Sequence, residues 1–168
     1  MRPGPAFLGL FMAVALAAPA PAQAPSERQF KTANWTGGVI YSGQTFGGCF
    51  VHRDYPDGTK IQLQLTPQLQ MWVGGAKSNW SFNPNQEFEL TFEVDGAYKK
   101  TFTGKANANS RIWLWFNVGN DADFRRAVAG NGTMTWVDPK GLKFPFDLAN
   151  GANAIRKLLA CTALYGID

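Results

Sequence analysis

From Gly47 to Thr66 the chain reads Gly-Gly-Cys-Phe-Val-His-Arg-Asp-Tyr-Pro-Asp-Gly-Thr-Lys-Ile-Gln-Leu-Gln-Leu-Thr, and this stretch dictates a β-hairpin in a definite register. In Tyr55-Pro56-Asp57-Gly58-Thr59, Pro presets φ at the first turn position, Asp suits the second, and Gly accepts the left-handed conformation that follows. A three-residue loop, Pro56 to Gly58, sets Tyr55 against Thr59, Asp54 against Lys60, His52 against Gln62, Val51 against Leu63 and Cys49 against Leu65. Directly opposed residues share a face. One face then carries Cys49, Val51, Ile61, Leu63 and Leu65, and the other Phe50, His52, Asp54, Lys60, Gln62 and Gln64. A two-residue loop would oppose His52 to Leu63 and Asp54 to Ile61. Because a slip of one residue moves every side chain across the sheet, the longer loop is the expected one, with Cys49 pointing inward and His52 outward.

The same alternation recurs along the chain. Trp35 to Tyr41 predicts a strand in which Gly37-Gly38 marks a bulge or a close backbone approach. Gln70 to Val73 predicts a short strand, followed by a loop from Gly74 to Gln86. Phe88, Leu90, Phe92 and Val94 alternate with Glu89, Thr91 and Glu93, and their partner is Tyr98 to Gly104. Turn chemistry favours a two-residue Asp95-Gly96 loop there. Side-chain matching favours three residues, pairing Val94 with Tyr98, Glu93 with Lys99 and Leu90 with Phe102, and is preferred. Arg111 to Phe116 is apolar on both faces, as a central or covered strand is. Asp121 can cap a short helix burying Phe124 and Val128, which Gly130 can end. Thr133 to Val137 and Leu142 to Leu148 flank an Asp138-Pro-Lys-Gly141 turn. A last helix opens at Asn150 or Gly151, with Ala154, Ile155, Leu158, Leu159 and Cys161 as its apolar stripe. Eight or nine short strands at this spacing predict a mainly β fold, an antiparallel sandwich or barrel, with the C-terminal helix packed on it.

The first 22 residues predict an export signal. Arg2 is the basic end, Phe7 to Leu16 is too short an apolar run to span a bilayer, and small-residue sites follow, cleavage after Ala22 being preferred. Residues 23–168 are then one β domain, periplasmic or secreted, without a transmembrane span. Removing Arg2 leaves fifteen basic against twelve acidic residues. They are scattered with no run beyond two, which excludes a nucleic-acid footprint. Cys49 and Cys161 are the only cysteines, and in an oxidising compartment such a pair is expected to form a disulfide, pinning the last helix to the sheet.

No catalytic constellation stands out. His52 is the only histidine, and no nucleophile and orienting acid accompany it as hydrolytic chemistry requires. A zinc site needs more His or Cys ligands, Asp121-Ala-Asp123 is too short for a calcium loop, and Glu87, Glu89 and Glu93 lack a facing carboxylate wall. The chain is therefore expected to be non-enzymatic, with no metal and no cofactor. The one functional arrangement is Arg111, Trp113 and Trp115 on one strand face, the two indoles about 7 Å apart at i and i+2. Such a platform stacks sugar rings or aromatic groups, unless a second sheet or the helix covers it. Trp72 and Trp80 are candidates to extend either arrangement, the open platform or the covered one.

Trp35-x-x-Gly38-x-x-Tyr41, Gly48-Cys49, Gly58-x-Lys60-Ile-x-Leu63, Phe124-Arg-Arg126, Phe144-x-Phe146-Asp-Leu148 and Ala154-Ile-x-x-Leu158-x-x-Cys161 together span nearly all of residues 23–168. In these the chain resembles small exported alphaproteobacterial proteins of the invasion-associated locus B family, and modules appended to some bacterial trypsin-like proteases. The resemblance implies a periplasmic or secreted β domain and carries over no active-site residue. The expected role is to bind or support another macromolecule of the envelope, a protein or other component; the alternative is binding of a glycan or small ligand by the Trp platform.

Overall fold

The computed structural model describes residues 29–110 and 112–165; the expected export signal and Arg111 lie outside them. Ten strands, all antiparallel to their neighbours, make one sheet: β1 (Phe30–Lys31), β2 (Thr36–Ser42), β3 (Thr45–Asp54), β4 (Thr59–Leu65), β5 (Met71–Lys77), β6 (Glu87–Val94), β7 (Tyr98–Ala106), β8 (Trp113–Gly119), β9 (Thr133–Val137) and β10 (Lys143–Asp147). Helix α1 (Ala122–Val128) follows β8, and α2 (Gly151–Tyr165) ends the described chain. The strand order is β1-β2-β3-β4-β5-β8-β7-β6-β9-β10, so the β6–β7 hairpin is inserted between two strands that pair with each other. The sheet rolls over itself. The Trp136 indole of β9 lies against Gly75 of β5, Trp35 Nε1 donates to the Ala149 carbonyl at 3.0 Å, and the Tyr55 hydroxyl donates to the Asp147 carbonyl at 2.7 Å.

The β3–β4 hairpin has the expected register, with Cys49 opposite Leu65, Val51 opposite Leu63, His52 opposite Gln62 and Asp54 opposite Lys60. Gly58 takes φ +78°. Asp57 fixes the turn by accepting from the Thr59 N–H at 3.0 Å and the Thr59 hydroxyl at 2.8 Å. Those bonds, with Lys77 beside them, pull its carboxyl down to about 2. The three-residue loop of the β6–β7 hairpin also forms, pairing Val94 with Tyr98, Glu93 with Lys99 and Leu90 with Phe102. Gly37 is the close approach, its missing Cβ replaced by the Phe30 ring. The register shift in β2 comes after Ile40 instead.

Two expectations are corrected. The loop placed at Gly74 begins later, because β5 continues to Lys77. The paired glycines serve ring packing: a Cβ on Gly74 would sit 2.7 Å from the Trp115 indole, and one on Gly75 would meet the Trp136 ring at 2.4 Å. A glycine inside a strand marks a close approach as readily as a turn. In α2, Leu159 is 40% exposed, and the buried stripe runs through Ala154, Ile155, Leu158, Cys161 and Thr162. Thr162 takes the place one turn beyond Leu158 and satisfies its hydroxyl on the Leu158 carbonyl at 3.0 Å. Cys49 and Cys161 are bonded, with Cα atoms 6.2 Å apart, tying α2 to β3.

The core is built around Trp136, stacked on Phe92 at 4.8 Å and flanked by Phe116 and Phe146. Helix α1 closes one side with Phe124 and Val128, both fully buried. Asp121 is its N-cap and accepts from the Phe124 N–H at 2.9 Å.

Candidate functional site

The ladder assigns every residue of the sheet to one of two faces. Leu114, Phe116 and Val118 of β8 point into the core, as do Val73 of β5 and Ile61 and Leu63 of β4. Their alternates face outward. Trp115 is opposite Gly74, Gly74 opposite Gln62, and Gln62 opposite His52. One row along, Asn117 is opposite Trp72, Trp72 opposite Gln64, and Gln64 opposite Phe50. On the other side, Trp113 is opposite Ala76, and Ala76 opposite Lys60. Four strands thus contribute to one surface.

On that surface Trp113 and Trp115 are half-buried, stacked with centroids 5.4 Å apart and ring planes 17° from parallel. This is tighter than the 7 Å set by strand rise, since the indoles lean together into an offset stack. Trp115 lies over Gly74, whose lack of a side chain makes room for it. Ala76, fully buried yet outside the core cluster, marks how closely the outer face covers its own backbone. Neither Trp72, Trp113 nor Trp115 packs against the core cluster. Phe50 and His52 stack at 5.9 Å and 12°. Lys60 pairs with Asp54 at 2.8 Å, His52 Nε2 lies 3.6 Å from the same carboxylate, and Lys105, directly opposite Trp115 on β7, pairs with Glu87 at 3.1 Å. From β8 across β5 to β4 the face is aromatic rings and carboxamides, Gln62, Gln64 and Asn117. Amides donate and accept without carrying charge.

The ladder puts Trp72 on the same face as Trp113 and Trp115, and brings to that face Phe50, His52, Gln62 and Gln64 from the β3–β4 hairpin. The signal that could have found them is the length of β5, hidden by its glycines. Trp80 does not extend the platform. It packs on Phe82 at 5.5 Å and on Phe144 at 5.6 Å, against the core and off the outer face of β8. His52 is half-buried and meets a carboxylate and a phenyl ring. Among the described residues no group of three or more His, Cys, Asp or Glu is placed to hold a metal ion, and no helix is long and apolar enough to cross a membrane.

A second feature is a cleft of about 710 Å³ between the β6–β7 turn and α1, lined by Tyr98, Lys100, Asp121 and Arg126 among others. Its polar groups are engaged with one another. Tyr98 donates its hydroxyl to Asp121 at 2.8 Å, Lys100 approaches the same oxygen at 3.2 Å, and Arg126 bonds Asp123 at 2.7 Å. Burial pushes the Tyr98 hydroxyl up, and the neighbouring Asp121 adds to this. For Asp121, burial acts upward but is outweighed by the Phe124 N–H, the Tyr98 hydroxyl and Lys100, which hold the carboxyl below its ordinary 3.8. Because its folded-state value lies below the unfolded one, the stabilisation is complete above about pH 4 and is lost as pH falls through the folded value. Asp121→Ala should cost about 1–2 kcal/mol at neutral pH, as lost N-caps do. Urea midpoints at neutral pH and in strong acid check this, the gap between variant and parent closing in acid.

No family model matches the chain, and no curated protein matches it. Among solved structures the fold is similar to that of invasion associated protein B from Bartonella henselae, with a TM-score of 0.56 at 11% identity over 81% of this chain and 97% of that one. At that identity the likeness is one of fold, and it agrees with the fold the resemblance implies.

Proposed function

We propose that the chain is an exported, non-enzymatic binding domain, periplasmic or secreted, and that the outer face of β8 is where it holds an envelope glycan. The observation that carries this is the Trp113–Trp115 stack standing off the core, bordered by carboxamides rather than free charge. Ring faces of this kind take up the apolar faces of sugars, and amides match hydroxyls in both hydrogen-bonding senses. Export is supported by the leader pattern in residues 1–22 and by the disulfide, which persists in oxidising compartments. The alphaproteobacterial source and the kinship with modules appended to trypsin-like proteases, both implied by the resemblance, fit a domain that anchors an assembly to its target. Arg111, two residues before Trp113, is the charged contact expected beside the platform.

The test is a glycan array with the parent, followed by titrations and thermal melts of Trp113→Ala and Trp115→Ala. Each substitution should weaken binding about tenfold, the order of one stacking contact. Melting should move far less than the ~3–5 kcal/mol loss of a core tryptophan would require. A large melting shift for both variants, together with a parent that binds no glycan, would sink this reading in favour of a purely structural face.

A further inference from the structure

On the core side of β8, at the opposite surface from the tryptophan platform, four aromatic side chains from three segments surround a cavity of about 210 Å³. Trp80 and Phe82 come from the β5–β6 connection, Phe88 from β6 and Phe144 from β10; Leu90, Leu114 and Asp138 complete the lining. Trp80 meets Phe144 at 89° and Phe82 at 58°, and Phe82 meets Phe88 at 67°. The rings stand at steep angles, as walls do, and all four are only partly buried. The volume is below the 300–1,000 Å³ of a drug-sized site, which limits the occupant to a small group.

Asp138 decides the chemistry. One carboxylate oxygen accepts the Lys140 and Leu142 N–H groups at 2.8 Å each and fixes the β9–β10 turn. Among the described residues the other oxygen bonds no partner and no cation pairs with this side chain. A carboxylate on the lining of an apolar pocket disfavours a neutral hydrocarbon, which would strip its water and return nothing. An ammonium group too alkylated to hold water tightly suits both features: the ring faces attract it through their quadrupoles, and the carboxylate supplies the counter-charge.

We propose that this cage binds a small quaternary ammonium solute of the choline type. The site is independent of the glycan platform, so either can fail alone. The probes are tetramethylammonium and choline, titrated into the full chain by calorimetry and by NMR of the indole N–H groups, with 3,3-dimethylbutan-1-ol as the uncharged analogue of choline. The cations should saturate and shift one indole signal, and the neutral analogue should bind about tenfold more weakly, the order of a desolvated cation–π contact. Asp138→Asn keeps the oxygen that fixes the turn, so its melting temperature should stay at the parent's while choline affinity falls several-fold. Phe82→Leu should weaken choline about tenfold and leave glycan binding unchanged. Equal affinity for choline and its neutral analogue overturns the proposal, as does saturation by neither, or an Asp138→Asn variant that folds and binds choline undiminished. Phosphatidylcholine vesicles separate the sources: binding to vesicles without binding free choline overturns the solute reading in favour of a lipid headgroup.

Discussion

Trp136→Ala is expected to lower stability by about 3–5 kcal/mol, the range for truncating a buried tryptophan. The ring is fully buried and fills the space where the rolled sheet meets itself. It lies parallel to Phe92 within 2°, edge-on to Phe116 at 5.2 Å and tilted to Phe146 at 4.8 Å, and it fills the space where a Gly75 side chain would stand. No single neighbour can collapse into the vacancy, because each is held by a different strand. The indole N–H is buried without a hydrogen-bond partner, so the native ring already carries a desolvation cost of about 1–3 kcal/mol. Trp136→Phe, which removes the unpaired donor and leaves a smaller void, should therefore cost clearly less than Trp136→Ala. The complementary change, Gly75→Ala, pushes a methyl into the same ring and should cost about 1–3 kcal/mol through overpacking. Guanidinium midpoints order the three variants; a Trp136→Ala protein within about 1 kcal/mol of the parent would contradict this account of the core.

Cys161→Ser should cost about 2–5 kcal/mol, as removing a native bridge from a small exported domain does. The bond spans a separation of 112 residues, and in the chain-entropy model a loop of about a hundred residues is worth ~4–5 kcal/mol. Set against the ~5–15 kcal/mol that folds a typical domain, this is a large fraction. The parent melted with reductant should match the variant melted without it. Cys49→Ser combined with Cys161→Ser should cost no more than either alone, since both remove one bond. Hydrogen exchange should rise first in α2, which the bridge fastens to β3. Reductant that leaves the parent's melting unchanged would show that the bond contributes nothing to stability.

What the sequence made legible was local. The turn at Pro56-Asp57-Gly58, the Asp95 loop, the Asp121 cap and the bounds of β9 each follow from chemistry within a few residues. Two obstacles hid the rest. Glycines in β5 read as punctuation because the rings that need them, Trp115 and Trp136, lie some 40 and 60 residues on. The pairing of β5 with β8 crosses an entire inserted hairpin, so the tryptophan face and the glutamine face were visible singly and not as one surface. Arg53 shows the same difficulty. It shares the inward face of β3 with Val51, opposite Ile61, where a charge looks misplaced. It is accommodated because its guanidinium reaches Asp147, bonding the carbonyl and the carboxylate at 2.7 Å each. Nothing near Arg53 in the sequence announces that partner.

The sheet ends at β1 and β10, and those two strands bear on how the protein behaves when crowded. An unpaired edge is a template on which another molecule's strand can add itself, and from there an aggregate can grow. Here β1 is two residues long, too short to template an intruder. On β10 the five residues are Lys143-Phe-Pro-Phe-Asp147: a proline in the middle removes a backbone donor, a charge stands at each end, and Arg53 with Tyr55 occupies the Asp147 carbonyl. Pro145 sits with these charges at the seam of the roll, so Pro145→Val, which restores a backbone donor to the free edge of β10, is expected to make that edge more adhesive.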